Sequence, residues 1–502
     1  MAAITLYAQQ AAYGSSSGAA SLLFVARAVA GNEARLKAVL RDPVGQRLLA
    51  TYAWTRGHEE LWNSDLETSR PAPLKRLLEA LAAQPRLAGA DRLAATAWTE
   101  GRFDLAERFA DVESTPLATW VKAKLAMRRG DPAAADRLLE EAARGFPAAE
   151  NWETTDYEYA RRPHATVEGE RALLALMRGD FTQAAERVLQ TCSWPDIAYV
   201  AERVLTVEEL QRLLADPSSA PALACKPEFL WYGEEDRPTV QQNLRWLLGR
   251  RLLRDGQGAR ALEYFQGTKR EQGARQYVDA LERARSASAG VNQAEALHAA
   301  AKLARGAGLE LLGTEVAPDW AWAGAEFEVD DFYSYSEEEE SPPESRKWAS
   351  RLVLTPESER ARLKAHAPPH VRRFHYRSTA ADLAEKAAAQ VPPRSQAYAA
   401  LLCQAARYSS RSDPERVQHF WDTYIQKGAL LREPMIFGVE CPEPDFQRVR
   451  QQSAALSFKR PRLRTLAAVG GGLLLPVVGL VLLRRRRRHQ EPAAPTPPPG
   501  TP

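Results

Sequence analysis

Residues Lys124 to Ala142 read KLAMRRGDPAAADRLLEEA, and the Gly130-Asp131 step in this stretch decides how the chain folds. An apolar-periodic run stops at Gly130, a second run opens after it, and Ala135 lies five residues beyond the glycine. Gly takes the left-handed backbone that closes a helix, Asp caps the next one, and Ala lets the two helices cross closely. The stretch predicts a helix-turn-helix unit. The same arrangement returns in LLALMRGDFTQAAERVL, with Gly179 and Ala184, in LLRDGQGARALEYF, with Gly256 and Ala261, and once more as Gly101 with Ala106. A shorter echo pairs Ala53-Trp54-Thr55-Arg56-Gly57 with Ala97-Trp98-Thr99-Glu100-Gly101.

Leu139, Val188 and Phe265 place an apolar residue near the end of each second helix, and Ala110 does so weakly. On these residues the segment from Leu48 to Leu281 resembles the tetratricopeptide-like repeat family. That resemblance implies an all-α solenoid of hairpins, with a long surface for a protein or peptide partner. The marking glycines are unequally spaced, so a strict period of about 34 residues is absent and the array is irregular. A non-repetitive helical bundle is the alternative. The block from Arg373 to Phe446 is similar to C-terminal regions of bacterial proteins described only as repeat-like, which implies a helical fold and a bacterial origin but no activity.

The expected organisation is a hairpin array over 1–312, an acidic and aromatic linker over 313–348, and a second helical segment over 349–450. Loops are expected at 146–164 and 217–237, where helical periodicity stops. Thr355-Pro356-Glu357 reads as a helix start with Thr as cap and Pro at the first position. Asp413-Pro414 starts another helix and Gly428 closes it. From Thr465 to Leu483 the chain reads TLAAVGGGLLLPVVGLVLL without a charge, and Arg484, Arg485, Arg486, Arg487 and Arg488 follow. As a helix this run extends about 28 Å, close to the ~30 Å hydrocarbon core of a bilayer. Gly470, Gly471, Gly472 and Pro476 suit a membrane span better than a soluble core helix. A single transmembrane helix over 465–483 is therefore predicted, with a basic and then Pro-rich tail over 484–502.

The chemistry-bearing patterns are few. No phosphate-binding loop, nucleophile elbow, HExxH helix or dinucleotide fingerprint occurs, and no catalysis, cofactor or metal is expected. Cys192, Cys225, Cys403 and Cys441 form no CxxC pair and read as buried thiols, with a Cys403–Cys441 disulfide open if the body faces an oxidising space. His366, His370 and His375 are close in sequence, but Pro368-Pro369 keeps the first two off one helical face, so they read as partly exposed loop histidines. Glu326, Glu328, Asp330 and Asp331 lack calcium-loop spacing. Glu170 reads as a solvent-facing helix residue rather than a general acid.

At 502 residues, 45% hydrophobic and 26% charged, the chain has a globular composition. Its net charge is only +3, and without Arg484 to Arg488 the body is slightly acidic, which excludes a broad basic field for nucleic acid. The expectation is a single-pass membrane scaffold that binds a protein or peptide. The rival is an envelope protein binding or processing glycans through aromatic loops near Trp152 and Trp320. Positive-inside logic places the body outside the cytoplasm, whereas the N-terminal sequence shows no secretory leader.

Overall fold

The computed structural model describes residues 1–59, 72–152, 162–227, 237–325, 355–410, 413–428 and 436–459. Among them the chain is all-α, with no strand. It divides into two compact units, Met1–Val278 with Leu303–Thr379, and Asp279–Lys302 with the chain from Ala380 onward.

The first unit opens with α1 (Ala2–Ala12), α2 (Ser16–Ala30), α3 (Glu33–Val39), α4 (Pro43–Glu59) and α5 (Ala72–Ala82). Three hairpins follow: α6 (Ala90–Thr99) with α7 (Phe103–Ala110), α8 (Pro116–Arg129) with α9 (Pro132–Gly145), and α10 (Pro163–Arg178) with α11 (Phe181–Leu189). Then come α12 (Trp194–Tyr199), a π-helical turn over Val200–Val204, α13 (Val207–Ala215) and α14 (Ala220–Leu223). A fourth hairpin joins α15 (Val240–Arg254) to α16 (Gly258–Phe265).

One backbone device closes the first helix of all four. Gly101, Gly130, Gly179 and Gly256 have φ of +68°, +80°, +76° and +72°. The next residue's N–H reaches back five positions, as from Asp131 to the Ala126 carbonyl at 3.0 Å and from Asp180 to that of Ala175 at 3.0 Å. This satisfies carbonyls that a helix end leaves orphaned. Asp131 and Asp180 then cap the second helices, accepting from the Ala134 and Gln183 N–H groups at 2.9 and 3.1 Å. Ala106, Ala135, Ala184 and Ala261 are fully buried, as are Ala110, Leu139 and Phe265, and Val188 nearly so. In the fourth hairpin the approach also needs Gly249, where a Cβ would lie 2.8 Å from the Phe265 ring.

The chain continues through α17 (Glu271–Ser286), α18 (Val291–Gly306), α19 (Gly308–Leu311), α20 (Glu357–Ala365) and α21 (His375–Ala388). In the second unit α22 (Gln396–Ser409) packs on α23 (Pro414–Lys427), and α24 (Phe446–Lys459) follows. Asp413 caps α23 and Gly428 follows its last residue.

Several expectations need correction. The stretch from Gly313 is no linker at first: Thr314, Glu315, Val316 and Asp319 are buried in the first unit. Helix α20, read as part of a separate segment beginning at 349, belongs to that unit too, because Tyr199 hydrogen-bonds Glu359 at 2.5 Å and Arg362 reaches Glu209 at 3.1 Å. It begins at Glu357, capped by Pro356 without a side-chain bond, so Thr355 is not its cap. Within the loop expected at 217–237, Asp216 accepts from the Ser218 N–H and starts a 3₁₀ turn at Pro217–Ser219 that runs into α14.

All four cysteines are paired rather than free, Cys192 with Cys225 and Cys403 with Cys441, at Cα separations of 6.2 and 5.6 Å. His375 is fully buried instead of exposed: Asp319 holds its Nδ1 at 2.6 Å and its backbone N–H at 3.2 Å. The expected span Thr465–Leu483, Arg484–Arg488 and the acidic cluster from Glu326 to Asp331 lie outside the described residues. Among the described residues no helix is long and apolar enough to cross a membrane.

Candidate functional site

The first helices of successive hairpins pack side by side, α4 on α6 and α6 on α8, with α2 packed against α4. Their shared face lines a groove of about 1530 Å³, closed on one side by α1 and α2 and floored by α4, α6, α8 and the start of α10. The Ala-Trp-Thr echo explains its walls. Ala53 and Ala97 are fully buried, and the next position, about 100° further round each helix, turns Trp54 and Trp98 into the groove, half-buried. Thr55 and Thr99 close each triplet on the rim, with Thr99 Oγ bonded back to the Thr96 carbonyl at 2.9 Å.

Two more tryptophans complete the surface. Trp120 on α8 donates its Nε1 hydrogen to Glu170 Oε2 at 2.8 Å, and Lys124, one turn later, bonds Glu170 Oε1 at 2.5 Å. The Lys124 ammonium lies 5.1 Å from the Trp120 ring centroid. Trp152, just after α9, meets Trp54 edge-to-face at 5.1 Å and lies 6.2 Å from Trp120, with Phe146 at 5.7 Å behind it. Its Nε1 donates to Glu150 at 2.8 Å. Such contacts hold ring planes fixed and leave their remaining faces to a ligand. Opposite them, Ile4, Ala8, Leu22 and Leu23 give an aliphatic wall.

None of the predicted hairpin residues lines this groove: Gly101, Ala106, Gly130, Ala135, Gly179, Ala184, Gly256 and Ala261 build the scaffold beneath it. Of the two tryptophans suggested for glycan binding, Trp152 is in the groove and Trp320 is not. Glu170 is in it, but both carboxylate oxygens are engaged. Trp54 and Trp98 are groove residues for which the Ala-Trp-Thr echo is the available signal, whereas Trp120, in Ala118-Thr119-Trp120, lies outside the echo.

A second polar centre lies elsewhere in the same unit. Glu202, fully buried in the π-helical turn, pairs with Arg254 and accepts from the Glu315 N–H at 3.1 Å. Glu315 pairs with the fully buried Arg250 and accepts from Trp194 Nε1 at 3.0 Å. Burial pushes the Glu202 carboxyl up, but Arg254, Arg250 and Arg251 outweigh it and hold it below the usual carboxylate range. Arg251 donates to the Ala201 and Leu205 carbonyls at 2.6 and 2.8 Å. The centre ties 313–319 onto α15 and the π-helical turn. Among the described residues no cluster of His, Cys, Asp and Glu could hold a metal ion.

Geometry thus defines a class, an all-α protein, among the described residues, of packed helical hairpins with a large aromatic groove. Compared with family models, with curated proteins and with solved structures, the chain has no match.

Proposed function

We propose that the chain is a non-catalytic binding scaffold, anchored by the apolar run Thr465–Leu483, that takes an apolar polypeptide segment in the groove. The observation that carries the reading is the set of four half-buried tryptophans, Trp54, Trp98, Trp120 and Trp152, facing an aliphatic wall across about 1530 Å³. That volume exceeds the ~300–1,000 Å³ of small-molecule sites and suits a helix or extended segment. Glycan processing is the weaker reading. Glycoside hydrolysis uses two carboxylates across the scissile bond, and the one carboxylate among the described groove-lining residues, Glu170, is held by Lys124 and Trp120.

The cysteines support one side of the membrane for the body. Disulfides persist in oxidising compartments, so two pairings that use all four cysteines support a body outside the cytoplasm. That agrees with the positive-inside placement of Arg484 to Arg488.

The test is a titration of the full chain in detergent, followed by tryptophan emission, with Leu- and Phe-bearing peptides and with cell-wall oligosaccharides. Saturable peptide binding is expected, weakened roughly thirty-fold in Trp98→Ala, as for a buried anchor worth about 2 kcal/mol. Saturable oligosaccharide binding with no peptide response would overturn the reading in favour of a glycan-binding protein.

A further inference from the structure

An apolar strip on the second unit has no role in the groove. On α23, Val417, Trp421, Tyr424 and Ile425 fall within one arc of about 100°. The packed residue of this helix, Phe420, lies beside that arc, fully buried. Packing on α22 therefore leaves the strip largely open: Trp421 is 40% exposed and Ile425 62%. The segment after α23 extends it, because Phe437 stacks on Tyr424 at 4.7 Å and meets Trp421 at 5.3 Å, leaving Ile436 65% exposed.

We propose that this strip docks on the lipid surface of the membrane that holds the chain. The inference rests on the membrane-anchored reading above. Trp and Tyr with flanking aliphatic residues are the composition that settles at a bilayer interface, where one end of each ring is apolar and the other wet. The chain's own course supplies the occupant. Helix α24 ends at Lys459, six residues before the apolar run, a reach of at most about 22 Å. Lys459, Arg460, Arg462 and Arg464 fall in that short connection, on the body's side of the run, where they favour anionic headgroups. The second unit is thus held next to lipid by chain length and by charge. A protein partner for the strip has neither argument.

The full chain is reconstituted into vesicles of phosphatidylcholine and phosphatidylglycerol whose acyl chains carry bromine near the headgroup. Trp421→Phe against the parent isolates the emission of Trp421. That emission should be quenched by the brominated lipid and little affected by aqueous iodide. In Ile425→Glu, which alters an exposed position, lipid quenching should fall roughly threefold with an unchanged melting temperature. Quenching of Trp421 by iodide and not by lipid, in chains that stay with the vesicles through alkaline carbonate, would overturn the docking and leave the anchor standing. Release of the chain by carbonate would overturn the anchor and the docking with it.

Discussion

Two regions of the first unit differ in what chiefly holds their helices together. The hairpins from α6 to α11 cross through fully buried alanines, with glycine turns in all three and Asp caps on α9 and α11, although α10 also buries an Arg171–Glu168 pair at 2.9 Å. The region from α12 to α15, with the 313–319 segment and α20 on it, is instead locked by buried polar pairs: the ion pairs Glu202 with Arg254 and Glu315 with Arg250, and the hydrogen bond of Asp319 with His375. The first needs residues a few positions apart. The second pairs residues from 52 to 65 positions apart, or 113 for the Glu315 N–H on Glu202. Local steric complementarity tolerates small changes by adjustment, whereas a buried ion pair that loses one member leaves an uncompensated charge.

The largest effect should follow from breaking that second region. Glu202→Ala strands Arg254 in the interior and should cost about 3–5 kcal/mol. Ala184→Leu in the hairpin region overfills a helix crossing and should cost about 1–3 kcal/mol. Urea unfolding of both variants checks the order, read as the change in the first unit's transition because two units need not unfold together. A costlier Ala184→Leu would show that the charges are incidental to stability.

The same contrast explains what could be read from the chain alone. Gly130 and Ala135 signal a hairpin because every atom involved is within a few residues, and the turn geometry demands those residue types. Glu202 and Glu315 carry no such mark, since a buried glutamate and a solvated one look alike until the distant arginine is placed. Asp319 and His375 were hidden for the same reason. The groove falls between these cases: the Ala-Trp-Thr echo was visible, but that both tryptophans face one cavity depends on α4 and α6 lying side by side. Cys192 and Cys225, 33 positions apart, have no local signature at all.

A smaller effect tests the hairpin turns themselves. At Gly130 a Cβ would meet nothing within 4 Å, so Gly130→Ala isolates the strain of a left-handed alanine. About 1 kcal/mol is expected, measured by the shift in urea midpoint. At Gly179 a Cβ would also approach Ser358 Oγ to 3.2 Å, so Gly179→Ala should cost somewhat more. Equal or smaller loss at Gly179 would mean that Ser358 yields freely.

The smallest effect should be the pH response of the second unit, where opposing influences act on His298. Burial of His298 disfavours its charged form, while the hydrogen bond and charge of Glu443 favour it, Lys302 opposes it and Glu295 favours it. Burial prevails, and the imidazole titrates below its ordinary value. As pH falls below about 6.5, the unfolded chain takes up a proton that the folded one refuses, so stability declines until the folded group also protonates. Glu443 acts lower on the scale. The Lys302 and His298 hydrogen bonds outweigh its burial and hold its carboxyl below the usual range, so its contribution is present above about 4.3 and lost as pH falls through the folded value. Thermal unfolding followed from pH 7.5 to 5.5 should therefore show a modest fall in the second unit's midpoint, flattened in His298→Gln. A midpoint that rises over this range would mean that Glu443, not burial, governs His298.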